Sequence, residues 1–282
     1  MVIAFAVGGA FRPGNGFSII GAHTDSPCLK VKPVSKRVKQ GFIQVGVECY
    51  GGGTWHSWLD RDLKLAGRVL VRNGDKIEHK LVDVDRPIMR VPNIAIHLQR
   101  DMNDKLQINK ENHLTPVIAT VVQEALQTST ESTQEVKDHS TQVEKHHPVL
   151  MKLLSEELAV SVENILDFEL CLADAVAPAL GGIFQEFIFA ARLDNLHSSY
   201  CGLQALIASC DGASLQTDTN IRMLSLFDNE EVGSQTAQGA QSTLQEYVMR
   251  RLCTGGASPT SFEQCIPRSL MVSADMAHAI HP

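Results

Sequence analysis

The sequence predicts an α/β fold in which a sheet is covered by helices on both faces and an inserted subdomain interrupts the chain. Short apolar segments typical of buried strands alternate with segments of helical periodicity. A long polar stretch without periodicity separates two such regions. The chain has 282 residues, which is enough for one large domain or two modest ones.

The first part of the chain is rich in strand patterns. Asn73 and Gly74 stand between two alternating segments, and Asn-Gly in such a place indicates a hairpin. The predicted strands are 2–7, 17–21, 41–49, 65–72 and 78–84.

The middle of the chain has a different character. Residues 101–148 are polar and predict a loop, a helical pattern follows at 149–160, and 166–173 predict a strand. We expect 91–175 to be an inserted subdomain. It would divide a main domain into a first part, 1–90, and a second part, 176–282.

The last part of the chain returns to alternating strands and helices. Strands are predicted at 184–191, 221–228 and 269–274, and helices at 193–209 and 235–252.

Composition and charge exclude several functional classes. The net charge of −7 is unlike the basic surface that nucleic-acid binding requires, and no apolar run approaches the length of a membrane span. The apolar first residues lack a preceding basic segment, so we expect no signal peptide. Seven scattered cysteines without a CxxC pair predict reduced thiols in a cytoplasmic protein.

Each of four predicted strands ends in side chains suited to metal binding. His23 and Asp25, two positions apart, share a face at the end of the second strand, where the carboxylate can orient the imidazole. Asp194 follows a strand-like segment, and its two oxygens could bridge two cations. Glu230 and Glu231 follow the apolar strand 221–228, at a bend where both can reach one cavity.

Asp275 ends the fourth strand, and the pattern shared by the four strands indicates more than any single segment. One glutamate could bind a metal while the other takes a proton from water. A set of mainly oxygen ligands with few histidines favours zinc, manganese or cobalt, and two such cations need a bridging ligand.

Taken singly, each segment has a structural alternative. His23 could be hydrogen-bonded at a strand end, Asp194, Asn195 and Asp275 could cap helices, and the two glutamates could lie in a solvated loop.

Four segments carry a resemblance to a known family: GAHTDSP, RLDN, DNEEVGS and SADMAHAIHP. They stand in the order and contexts found in aspartyl aminopeptidases, which are di-zinc metalloaminopeptidases. The similarity covers nearly the whole chain apart from a polar stretch around 128–145. It implies a zinc-peptidase-like catalytic domain with a mixed sheet, and a dimerisation role for the insertion.

The resemblance also implies roles for individual residues. His23 and Asp275 would hold one metal ion, Glu231 the other, and Asp194 would bridge them. Glu230 would be the general base, and Asp25 would orient His23. A further histidine, in the segment IAIHLQR, corresponds to His97 and would reach the active site of a neighbouring subunit in a dimer or dodecamer.

The family pattern extends beyond this chain at both ends. We expect an N-terminal helical segment to be missing, together with a C-terminal portion that supplies the second metal's remaining histidine, basic groups for an acidic substrate and closing strands.

The predicted function is removal of N-terminal Asp or Glu from peptides by two-metal activation of water. The alternative is a catalytically impaired subunit that acts through assembly with the full-length enzyme. A third possibility is a related amidohydrolase.

Overall fold

The computed structural model describes residues 1–130, 141–255 and 258–282, without the side chains of 128–130 and 141. The strands in these ranges are β1 (Val2–Val7), β2 (Phe17–His23), β3 (Cys28–Lys39), β4 (Phe42–Tyr50), β5 (Leu63–Asn73), β6 (Lys76–Met89), β7 (Val117–Thr120), β8 (Ile165–Asp174), β9 (Ala179–Gly181), β10 (Phe187–Phe189), β11 (Ile221–Phe227) and β12 (Leu270–Ser273). The helices are α1 (Val121–Thr130), α2 (Thr141–Lys145), α3 (Pro148–Leu158), α4 (Leu193–Ser209), α5 (Ser214–Thr217), α6 (Leu244–Cys253) and α7 (Ser261–Cys265). The predicted mixed α/β class is confirmed.

The chain forms two compact units. The first contains Met1–Ser26 and Leu180–Pro282, and the second contains Pro27–Ala179. The predicted insertion, 91–175, lies inside the second unit. That unit begins earlier than position 91, because β5 pairs along its length with β8 and so joins residues on both sides of the predicted boundary.

The first unit is built on a four-stranded sheet with the order β1-β11-β2-β12. β1 is antiparallel to β11, whereas β11 and β12 both run parallel to β2. Phe227 therefore lies beside His23, and Ser273 lies beside Gly21. Because parallel strands end at the same edge of a sheet, the residues that follow β2, β11 and β12 are brought together.

Helix α4 packs on β2 and β11 in this unit. Gly202 permits the close approach, since a Cβ atom there would lie 2.8 Å from Leu224 Cδ1. On the sheet, Phe17, Ile19, Ile221 and Met223 form a buried cluster with Met249, Cys253 and Cys265.

The second unit is built on a six-stranded antiparallel sheet with the order β6-β5-β8-β3-β4-β7. The predicted Asn-Gly hairpin is present: Asn73 pairs with Lys76, and Gly74 has φ +59°. A large buried cluster covers this sheet, with Leu63, Leu65 and Leu170 fully inaccessible to solvent.

Several details of the predicted elements differ from the structure. Residues 101–148 are not one loop, because they contain β7, α1 and α2. The centre of that prediction, 131–140, lies outside the described residues. Strand β3 was not predicted, and the predicted helix 235–252 begins only at Leu244. No helix in the described parts of the chain combines the length and apolar character needed to cross a membrane.

Candidate metal centre

Six of the seven predicted site residues meet at one edge of the four-stranded sheet. His23 is the last residue of β2, and Asp25 follows it; Glu230 and Glu231 follow β11, Asp275 follows β12, and Asp194 lies at the start of α4. The seventh, His97, belongs to the second unit, where it is exposed in a turn at 96–98.

His23 is the centre of this group. Its side chain is buried, and its Nε2 atom lies 3.3 Å from Asp194 Oδ1, 3.6 Å from Asp275 Oδ1 and 3.8 Å from Glu230 Oε2. On the other side of the ring, Nδ1 lies 3.3 Å from Asp25 Oδ1. The Nε2 atom therefore lies near three carboxylates that reach solvent. The Nδ1 atom lies near the carboxylate of Asp25 and within hydrogen-bond distance, 3.1 Å, of the Asp25 backbone carbonyl.

Two overlapping groups of side chains have the spacing of a metal site. His23, Asp194 and Asp275 form one, and His23, Glu230 and Glu231 form the other; within each, the potential ligand atoms lie within 4.8 Å of one another. One imidazole with several carboxylates is a donor set suited to zinc, manganese or cobalt. The residues present therefore fit a divalent cation.

The electrostatics of the group also fit a cation. Burial lowers the pKa of His23, but the carboxylates of Asp25, Asp275, Glu230 and Asp194 outweigh it and raise the pKa.

Two of the carboxyl groups show the complementary effect. The pKa of Asp194 is raised by burial and by the neighbouring Asp275. The pKa of Glu231 is raised by burial and by Asp194 and Glu230. Negative charges crowded in this way repel one another, and a divalent cation among them would remove the repulsion.

Asp25 organises the loop that carries the two glutamates. Its Oδ1 accepts a hydrogen bond from the backbone N–H of Glu230 at 3.1 Å, and its Oδ2 accepts one from Glu231 at 3.0 Å. Asn229, just before them, has φ +61°, so the chain turns sharply out of β11. The backbone of this loop is thus held by a nearly buried carboxylate, while the side chain of Glu230 is about half exposed.

The start of α4 is irregular at Asp194. The Asp194–Asn195 peptide bond is cis, and both residues have non-helical backbone angles. Ser26 Oγ donates a hydrogen bond to the Asp194 carbonyl at 2.9 Å. Asn195 does not cap the helix, because its Oδ1 atom accepts no hydrogen bond from the described residues; its side-chain amide donates to the Ala274 carbonyl at 2.8 Å.

The helix-capping alternative for Asp275 is also not observed. Residues 274–282 are all described and contain no helix. The Oδ1 atom of Asp275 accepts a hydrogen bond from the backbone N–H of Met276 at 2.7 Å.

Two supporting residues were missed from sequence. Asn195 is fully buried, and Ser199 Oγ donates a hydrogen bond to the His23 carbonyl at 2.8 Å. Both lie near the start of a helix that packs on the sheet, where short polar side chains are also common as caps. The sequence feature that could have identified them is their spacing: Asn195, Ser199 and Gly202 follow one another at intervals of four and three positions, which is typical of one helix face.

Comparison with known proteins identifies relatives of this chain. The sequence model of the M18 family, described as aminopeptidase I zinc metalloprotease, matches residues 1–282. An aspartyl aminopeptidase of Aspergillus oryzae is 45% identical over 303 residues, and one of Caenorhabditis elegans is 46% identical over 283 residues. Each alignment covers the whole of this chain but 60% of the relative, so the chain spans about 60% of the length of these curated proteins.

Solved structures of related proteins have the same fold. A chain in the cryo-EM structure of the Ape4 and Nbr1 complex superposes with a TM-score of 0.92 at 44% identity, covering 99% of this chain and 53% of that one. The mApe1 protein of Chaetomium thermophilum has a TM-score of 0.86 at 34% identity, covering 99% and 62%. The predicted zinc-peptidase-like fold is thereby confirmed, and the chain belongs to the M18 family of zinc aminopeptidases.

Proposed function

We propose that this protein is a metalloaminopeptidase that removes N-terminal Asp or Glu from peptides. The observation that carries the proposal is the convergence of one imidazole and the carboxylates of Asp194, Glu230, Glu231 and Asp275 at the carboxyl ends of neighbouring strands. Membership of the M18 family supports the reaction class. The preference for acidic residues rests on the names of the relatives.

Two divalent cations would be held by these side chains. His23 and Asp275 would bind one, Glu231 the other, and Asp194 would be shared between them. When bound, the cations would supply Lewis acidity toward the peptide carbonyl and toward water, and zinc, manganese and cobalt all suit this donor set.

Glu230 is the proposed general base. Its side chain is about half exposed, and its backbone is fixed by Asp25, so the carboxylate can meet water and substrate at the solvent-facing side of His23. It would take a proton from the attacking water and deliver it to the amine that leaves. Asp25 would keep the imidazole of His23 oriented through Nδ1.

His97 is proposed to act on a neighbouring subunit, where it would stabilise the oxyanion of the reacting carbonyl. It is exposed in its turn and is therefore accessible to a second copy of the chain. Self-association through the insertion, 91–175, is part of this proposal. A solved relative, mApe1 of the yeast S. cerevesiae, is described as a dodecamer, which supports it. A cytoplasmic location is a prediction that rests on the scattered thiols.

The experiment is a comparison of wild type with Glu230→Gln. Because the chain spans about 60% of its relatives, both would be assayed as the 282-residue chain and after extension with the C-terminal region of the Aspergillus oryzae protein. We expect the zinc-loaded extended form to hydrolyse aspartyl and glutamyl p-nitroanilides faster than the leucyl compound. Glu230→Gln should retain zinc but lose at least about a hundredfold in kcat.

Hydrolysis near the wild-type rate by Glu230→Gln with zinc retained would show that the base is assigned wrongly. A preference for leucyl substrates would contradict the acidic specificity. Absence of turnover in both forms, with zinc bound, would favour the alternative of a non-catalytic subunit.

A further inference from the structure

Two cysteines of the second unit form a pair that the proposed reaction does not use. Cys28 is the first residue of β3, and Cys171 lies in β8, the strand beside it. Lys30 is directly opposite Cys171 in the antiparallel register. Cys28 and Lys30 are two positions apart, so both side chains stand on the same face as Cys171. The thiols of Cys28 and Cys171 are therefore neighbours on one face of the paired strands β3 and β8.

The surroundings of the pair favour a reactive thiolate. The neighbouring thiol of Cys28 and the positive charge of Lys30 lower the pKa of Cys171, although burial opposes them. The neighbouring thiol of Cys171 and burial raise the pKa of Cys28. Lys30 is held in place, since its Nζ atom lies 2.7 Å from Glu169 Oε1 and 4.2 Å from the centre of the Tyr50 ring. Both cysteines are partly exposed, so a small oxidant can reach them.

A second pair of neighbouring thiols has the opposite character. Cys253 of α6 and Cys265 of α7 are both fully buried in the core of the first unit. Burial and contact with Cys253 raise the pKa of Cys265 to about 12. Thiols that solvent cannot reach are inert to a small oxidant, so this pair provides an internal control.

We propose that Cys28 and Cys171 are a reversible redox modification site, in which a peroxide oxidises Cys171 and Cys28 then closes a disulfide between β3 and β8. In the first step the Cys171 thiolate attacks one oxygen of hydrogen peroxide, the O–O bond breaks, and the departing hydroxide takes a proton to become water. Cys171 is then a sulfenic acid.

In the second step the sulfur of Cys28, giving up its proton, attacks the sulfur of Cys171. The S–O bond breaks, and hydroxide leaves and is protonated to water. The two thiols together lose two electrons and two protons, and one peroxide is reduced to two waters. A dithiol such as dithiothreitol reverses the change by thiol–disulfide exchange.

The test is peptide mapping of the whole chain after treatment with one equivalent of hydrogen peroxide. Trypsin separates the two cysteines, because Cys28 is the one cysteine of peptide 1–30 and Cys171 is the one cysteine of peptide 153–192. After the remaining thiols are blocked, we expect these two peptides joined, with the loss of two hydrogen atoms. Dithiothreitol should release them, and peptide 252–268, which carries Cys253 and Cys265, should stay unoxidised.

A second measurement does not depend on any variant. At pH 7, iodoacetamide should alkylate Cys171 on the order of tenfold faster than Cys49, a partly buried thiol whose pKa is raised by burial.

Two variants test the order of the steps. Cys28→Ser should accumulate a sulfenic acid on Cys171 that dimedone traps, whereas Cys49→Ser should form the disulfide as wild type does.

Three results would overturn the proposal. They are the absence of the joined peptide in the treated chain, equal alkylation rates for Cys171 and Cys49, and oxidation of the Cys253–Cys265 pair in preference to the Cys28–Cys171 pair.

Discussion

Asn195 donates its side-chain amide to the backbone carbonyl of Ala274 across 79 positions of the chain. This hydrogen bond joins the start of α4 to the end of β12, immediately beside the two aspartates of one proposed metal position. Asn195 is inaccessible to solvent, and its loss would remove the side-chain donor to a carbonyl that is itself partly buried.

Asn195→Ala should therefore lower the free energy of unfolding by about 1–3 kcal/mol and weaken zinc binding. Urea denaturation and competition with a chelator measure the two effects. The matched control is Asn164→Ala, which removes an exposed side-chain hydrogen bond to Ser161 at 2.9 Å and should change stability by less than about 0.5 kcal/mol. Equal effects of the two substitutions would contradict the role given to Asn195.

His23 belongs to both groups of potential ligands, so its removal should affect zinc binding more than any other single change. We expect His23→Gln to reduce bound zinc, measured by atomic emission after gel filtration, to near background. His278→Gln is the control, because that histidine is exposed near the end of the chain. If His278→Gln lost as much zinc as His23→Gln, the ligand assignment would be wrong.

Asp25→Asn tests a carboxylate that touches both His23 and the loop of the glutamates. Asparagine has the same shape but only one acceptor oxygen, so it can accept only one of the two backbone hydrogen bonds from Glu230 and Glu231. We expect zinc affinity to fall about 10- to 100-fold, with a smaller change in the urea midpoint. An unchanged zinc affinity would show that Asp25 does not position the site.

His146 should make the second unit sensitive to acid. Burial, with a contribution from Lys145, lowers its pKa from 6.5 to about 4, and the ring contacts Ser35 Oγ and the ring of Phe168. In the unfolded chain His146 becomes protonated below about pH 6.5, whereas in the folded chain it stays neutral until about pH 4. Stability is therefore lost as the pH falls through that window, by on the order of 3 kcal/mol.

The measurement for His146 is urea unfolding at a series of pH values between 7 and 4. His146→Gln should flatten the decline, because glutamine does not titrate. His79→Gln, at an exposed position of β6, should follow the wild-type curve. Parallel curves for wild type and His146→Gln would contradict the assignment.

Much of the candidate metal centre could be predicted because its residues stand where apolar strands end. His23, the Glu230–Glu231 pair and Asp275 each follow a strand that is apolar enough to recognise in sequence, and the parallel pairing of β11 and β12 with β2 brings these ends together. The supporting contacts could not be predicted in the same way. Asn195 and Ser199 act through backbone carbonyls far away in sequence, and the residue type alone does not identify such partners.

Strand β3 and the start of α6 could not be predicted correctly, because the hydrophobic pattern of each is interrupted or extends beyond the element. In β3, Leu29 and Val31 are buried between lysines, but Pro33 interrupts the alternation, and the pairing with β4 shifts register between Val31 and Lys36. The helix predicted at 235–252 starts late because residues before Leu244 fold back on the loop of the glutamates. There the Asp228 N–H bonds the Gln238 carbonyl, and the Gln241 N–H bonds the Ser234 carbonyl.

The order of strands in the first unit has a consequence for how the protein is made. β1 and β2 do not touch each other, since β11 lies between them, and 203 positions separate Thr24 from its partner Phe227. At about 5–20 residues per second, a ribosome needs roughly 10–40 s to add that length. The whole second unit leaves the ribosome in the meantime and can fold first. Until β11 has been synthesised, β1 and β2 lack the strand that lies between them, and their apolar side chains remain without that neighbour.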